Sequence, residues 1–152
     1  MGKNIIAIDP GKSGGIACLN NDMVLVFNMP ETEGDVVDLL RMIRSYGCQE
    51  AVIEEVGGFC GVGQPGSRMF TFGRGVGVIH GALLALGFRI DVVRPARWQK
   101  HFSLGTVKSA GGKTAWKNKL KGCAQRLYPS VAVNLHVADA LLILDYAANK
   151  KD

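Results

Sequence analysis

The chain has 152 residues, 47% of them hydrophobic and 20% charged, the composition of an ordinary folded protein and the size of one domain spanning 1–152. Eighteen Lys and Arg against thirteen Asp and Glu leave a formal charge of +5, a surplus that suits a polyanion such as nucleic acid but also occurs in proteins with no such partner. No apolar run approaches the ~20 residues that cross a bilayer, and the N-terminus opens directly on a strand pattern, so neither a membrane protein nor a secreted one is expected. Residues 4–9, 14–19 and 23–28 read as three short strands. The turns between them, Gly11-Lys12-Ser13-Gly14-Gly15 and Asn20-Asn21-Asp22, are short enough for antiparallel hairpins.

Residues 34–46 place Val36, Val37, Leu39, Leu40 and Ile43 at helical spacing, with Gly47 just beyond. A β-branched strand follows over 50–56, and then a glycine-rich loop over 57–66. The next helix, 67–86, carries Gly73, Gly75, Gly77 and Gly81. Each costs about 1 kcal/mol against Ala, which makes sense where the helix lies tightly against another backbone or against nucleic acid. A strand over 88–93, a short helix from Pro95 to His101, a loop over 103–112 and helices over 113–127 and 135–149 complete the chain. The order βββαβαβ followed by helices gives an α/β fold with a mixed five-stranded sheet.

Acidic residues fall at telling places in this frame. Asp9 ends the apolar run Ile5-Ile6-Ala7-Ile8, Glu54 and Glu55 end Ala51-Val52-Ile53, and Asp139 follows His136 by three residues in the last predicted helix. An anion at the end of a buried strand must be paired or must bind a cation. Gathered by one fold, these carboxylates would form an oxygen-rich cage for Mg²⁺ or Mn²⁺, as in a metal-dependent phosphodiesterase. Successive strand residues point to opposite faces, so only one of Glu54 and Glu55 can join Asp9. Cys18, Cys48, Cys60 and Cys123 show neither a CxxC pair nor zinc spacing. Reduced thiols and a cytoplasmic, DNA-associated location are expected.

Ile8-Asp9-Pro10-Gly11, Ile53-Glu54-Glu55-Val56 and His136-Val137-Ala138-Asp139-Ala140-Leu141, in this order and spacing, resemble the RuvC family of Holliday junction resolvases across essentially the whole chain. The resemblance implies a ribonuclease H-like fold and places the four catalytic and metal-binding positions at Asp9, Glu54, His136 and Asp139. Glu54 is preferred to Glu55 because it directly follows Val52-Ile53, as in the family's strand. At the predicted spacing His136 and Asp139 share one helix face, where the imidazole either ligates the metal or orients and deprotonates the attacking water. Two Mg²⁺ or Mn²⁺ ions about 3.5–4 Å apart can stabilise both the attacking and leaving oxygens of a phosphodiester, and Asp9 is the natural bridge between them.

The implied activity is endonucleolytic resolution of four-way junction DNA by paired symmetric nicks with 5′-phosphate and 3′-hydroxyl ends, in DNA recombination and repair, by a homodimer of phage or prophage type. Lys100 and Lys113 resemble the family's lysines near the scissile phosphates, Arg97 adds to the same basic face, and Phe59 in the glycine-rich loop is placed to stack on an unpaired base. Lys117, Lys119 and Lys121 read as a diffuse phosphate-attracting face. Met69, Val76, Ile79, Leu83 and Leu86 form an apolar stripe that serves either a dimer interface or packing within the chain. Two other functions use the same fold, a nuclease of branched DNA or RNA–DNA hybrids and a non-catalytic junction-binding protein.

Overall fold

The computed structural model describes residues 2–57 and 63–150. Five strands, β1 (Ile5–Asp9), β2 (Gly15–Asn20), β3 (Met23–Asn28), β4 (Glu50–Glu54) and β5 (Arg89–Val93), form one sheet in the order β3-β2-β1-β4-β5. The two hairpins are antiparallel, and β4 and β5 run parallel to β1. β1 lies at the centre, and its first four residues are buried. Among the described residues six helices surround the sheet: α1 (Glu33–Ser45), α2 (Gly66–Ala85), α3 (Pro95–His101), α4 (Val107–Ala110), α5 (Lys113–Leu127) and α6 (Ala138–Asn149).

Alternation along the strands sorts their side chains between two cores. Ile5, Ala7, Ala17 and Val52 pack with Trp98, α5 and α6, whereas Ile6, Ile8, Ile16, Cys18 and Ile53 pack with α1 and α2. The small Ala7 and Ala17 let α6 lie close to the middle of the sheet. The first half of that helix, Ala138–Leu144, is buried all round and apolar apart from Asp139, as expected of an element enclosed by its neighbours. α5 buries Trp116, Leu120, Cys123 and Ala124, the i, i+4, i+7, i+8 stripe of a helix lying on one neighbour.

Helix α1 begins where the Thr32 side chain accepts the N–H of Asp35 at 3.1 Å, and Val36, Leu40 and Ile43 line its buried face. α2 buries Ile79, Ala82 and Leu83, so part of its expected apolar stripe is satisfied within the chain. A different face stays open. An added Cβ at Gly73, Gly77 or Gly81 would meet nothing within 4 Å, and on the same helical face Phe70 is 72% and Leu84 67% exposed.

Three predicted boundaries shift: β4 ends at Glu54 and not at 56, and two more lie towards the C-terminus. The segment 103–112 is not all loop, because Thr106 and Ser109 cap each other around the single turn of α4. The last helix starts at Ala138 and not at 135. Asn134 Oδ1 accepts the N–H groups of His136 (2.9 Å) and Val137 (3.1 Å) and holds 135–137 as a turn, while the Ala138 N–H reaches the Asn134 carbonyl at 3.2 Å. His136 therefore lies in the turn ahead of α6 and does not share a helix face with Asp139.

Candidate functional site

The period-2 pattern that sorts the core also aims the acids. Asp9 continues the Ile5–Ala7 face of β1, and Glu54 continues the Val52 face of β4, so both point towards the layer of α5 and α6. Asp139, in the first turn of α6, is buried on the same side. Burial pushes the Asp9 carboxyl up to about 8, and the negative charges of Asp139 and Glu54 add to the rise, with Lys117 opposing it. Glu54 is raised as well, first by burial. The Trp98 indole N–H opposes this by donating to Glu54 Oε2 at 2.7 Å, and Asp139 and Lys117 act in opposite senses as they do on Asp9. Glu55 turns elsewhere: its carboxylate accepts from Arg94 Nε at 2.9 Å and its N–H donates to the Val93 carbonyl.

Among the described residues one cation enters the acid cluster. Lys117 Nζ donates to Asp139 Oδ2 at 2.7 Å. Burial depresses the Lys117 ammonium, but the charge and hydrogen bond of Asp139, with the charges of Asp9 and Glu54, outweigh it and raise its pKa. In sequence Lys117 reads as one of the diffuse phosphate-attracting lysines, and the structure places it instead against the acids. The usable signal was its place beside Trp116 and three residues before Leu120, which puts it at the margin of the stripe that α5 buries.

His136 stands beside this cluster in sequence, in the turn that Asn134 organises. Its Nδ1 is buried and has no hydrogen-bond partner among the described residues. Asn134 Nδ2 in turn donates to Asn28 Oδ1 at 2.9 Å, fastening the turn to the end of β3. The same turn lies against Gly15 at the start of β2, where a Cβ would come within 2.5 Å of the His136 carbonyl oxygen.

The donors fit Mg²⁺ or Mn²⁺ in kind, since they are hard carboxylate oxygens whose mutual repulsion a divalent cation relieves. Their spacing does not close a cage. Among the described residues no three His, Cys, Asp or Glu side chains are near enough to hold a metal, and Lys117 supplies the positive charge at Asp139. The expected phosphate-binding groups lie outside the cluster. Lys100 and Arg97 are exposed on α3, and Lys113 is exposed at the first position of α5. Lys100 shares a cleft of about 630 Å³ with Lys108, Thr106 and Trp116. Phe59 lies outside the described residues.

Neither a family model nor a curated protein matches the sequence. Among solved structures, the chain is similar to a Thermus thermophilus RuvC structure at 17% identity and a TM-score of 0.59, over 95% of this chain and 93% of that one. It is also similar to T. thermophilus RuvC in complex with Holliday junction substrate, at 15% identity and a TM-score of 0.62 over the same shares. At these identities the likeness establishes the fold: a RuvC-like, ribonuclease H-like mixed sheet flanked by helices. No helix among the described residues is long and apolar enough to cross a membrane.

Proposed function

We propose that this chain is a divalent-metal-dependent endonuclease that resolves four-way DNA junctions by paired nicks. The observation that carries the reading is the buried convergence of Asp9, Glu54 and Asp139, strong enough to hold Asp9 near 8, on a fold similar to that of RuvC. Such a concentration of anion costs stability unless it serves to bind positive charge.

In this reading Asp9, Glu54 and Asp139 would draw together around Mg²⁺ or Mn²⁺ as it displaces Lys117 from Asp139, with His136 as a further ligand or as the base that orients water. A metal held there would supply Lewis-acid stabilisation of the charge that builds on the phosphoryl oxygens. Trp98 fixes one Glu54 oxygen and with it the orientation of the carboxylate. Lys117 balances the carboxylates. Lys100, Lys113 and Arg97 attract the flanking backbone, so binding should weaken steeply with salt. A homodimer would present two equivalent sites to opposed strands. The open α2 face, with Phe70 and Leu84 at its ends and glycines between, supports such a contact because it lets a second helix approach closely.

The test is incubation of a labelled synthetic four-way junction with the protein and Mg²⁺, Mn²⁺ or EDTA, beside linear duplex, flap and RNA–DNA hybrid controls. Paired symmetric nicks that need metal and vanish in Asp9→Asn while junction binding persists are the expected result. Equal cleavage of linear duplex, or unchanged cleavage by Asp9→Asn, would overturn it.

A further inference from the structure

Away from the acids, two thiols face each other in the second core. Cys18 lies within β2, opposite Ile6 of β1 and Leu25 of β3. Cys48 lies in the connection between α1 and β4, thirty positions along the chain. Both side chains are fully buried, and their Sγ atoms are 3.2 Å apart. The surroundings hold the two segments together. Asn20 Nδ2 donates to the Tyr46 carbonyl at 3.0 Å, and Cys48 Sγ lies 3.7 Å from the Leu19 carbonyl oxygen. Cys123 belongs to the other core.

A disulfide requires its sulfurs at about 2.05 Å, so closing this pair takes an approach of roughly an ångström and no change of partner. We propose that Cys18 and Cys48 are an oxidative modification site, at which a peroxide-class oxidant forms a disulfide that fastens β2 to the α1–β4 connection. The hydrogen bond from Cys18 lowers the Cys48 thiol against its burial, with the Arg44 charge helping, and Cys18 is raised in turn, so Cys48 is the sulfur that ionises first. The Cys48 thiolate attacks one peroxide oxygen; the O–O bond breaks and hydroxide leaves. Cys18 sulfur, giving up its proton, then attacks the sulfenic sulfur of Cys48, and the S–OH bond breaks with loss of water. Two thiols are oxidised, and one peroxide is reduced to two waters.

The bridge would enclose β3 and α1. It would lie towards the end of the sheet away from the acids, since Cys18 pairs with Ile6 while Gly15 pairs with Asp9. It therefore acts on stability and leaves the acid cluster in place. Burial makes the reaction slow and restricts it to small oxidants, because access requires local opening of the segment.

The experiment treats the native protein with hydrogen peroxide in EDTA, alkylates remaining thiols after denaturation, and maps the peptides by mass. The expected product joins the Cys18 and Cys48 peptides with a loss of about 2 Da, is reversed by dithiothreitol, and raises Tm by about 10 °C over the reduced protein. Cys18 and Cys48 both recovered as alkylated thiols while Cys123 is oxidised, or oxygen adducts at either sulfur without a bridge, would overturn the proposal. Cys18→Ala should lose both the linked peptide and the Tm rise; if that variant does not fold, the wild-type mapping decides alone.

Discussion

Lys117 Nζ lies 2.7 Å from Asp139 Oδ2, joining a half-exposed lysine of α5 to a carboxylate at the start of α6 whose side chain is only 8% exposed. The pair is not an ordinary surface bridge, because its acid is buried beside two others. It is also not a closed buried pair, because the lysine still reaches water. Its strength should lie between those limits.

Replacing that ammonium by an apolar chain of similar length, Lys117→Met, should lower stability in EDTA by about 1 kcal/mol at neutral pH, well below the cost of breaking a fully buried pair. The same change removes the cation that competes with metal for Asp139. The Tm increase on adding MgCl₂ should therefore be larger in the variant than in the parent protein. Melting curves with and without Mg²⁺ measure both effects, and an equal increase in the two proteins would show that Lys117 does not compete.

Asp9 gives stability a pH dependence whose sign is opposite to that of most carboxylates. Its folded pKa of about 8 stands above the unfolded value of 3.8. Between these values the folded chain holds a proton that the unfolded chain has lost, so stability falls as pH rises and levels off above about 8. Glu54, also raised, acts in the same sense. The raised Lys117 contributes stability that persists until pH passes 10.5, outside this window. The urea midpoint in EDTA should therefore drop from pH 5 to pH 8. Asp9→Asn should flatten much of that slope and be more stable than the parent at pH 8 by about 2 kcal/mol, yet nearly equal at pH 4.

Much of this arrangement was legible because it follows from local periods. Alternation along Ile5–Asp9 and Glu50–Glu54 decides which core each side chain enters, and the same alternation turns Asp9 and Glu54 to one side and leaves Glu55 with Arg94. Lys117 was not legible in that way. In sequence it looks like Lys119 or Lys121, and only the seating of α5 on α6 separates them. The turn carrying His136 escaped for a different reason. Its start depends on one Asn134 side chain taking two N–H groups, which a helical apolar pattern passes over. The Thr106–Ser109 cap was similarly hidden between glycines, where a four-residue helix has too few positions to show a period.

Trp98 is fully buried and spends its only polar hydrogen on Glu54 Oε2. Trp98→Phe keeps most of the ring but leaves that oxygen without its donor, a loss of about 1–3 kcal/mol in stability. Glu54 would also lose the contact that fixes its orientation. Junction cleavage should fall about tenfold and need more Mn²⁺ to reach half its maximum, while junction binding in EDTA stays unchanged. A variant with parental Mn²⁺ dependence would reduce Trp98 to a packing residue.

Gly15 is a position where a single added carbon would press on backbone from two sides. A Cβ there would lie 2.5 Å from the His136 carbonyl oxygen and 3.0 Å from that of Phe27. Both neighbours are backbone and cannot swing aside like a side chain. Gly15→Ala must therefore displace the 135–137 turn or the end of β3, at a cost of about 3 kcal/mol. Displacing that turn moves His136 and the start of α6 with Asp139, so cleavage should fall further than the loss of folded protein explains. Gly77→Ala is the matched control. Its Cβ meets nothing within 4 Å, and the substitution should leave the monomer as stable or firmer by up to about 1 kcal/mol through helix propensity. Urea unfolding of the two variants side by side, with cleavage normalised to folded protein, separates these outcomes. Equal stability of the pair would mean that the close approach of β2 to the His136 turn is not rigid.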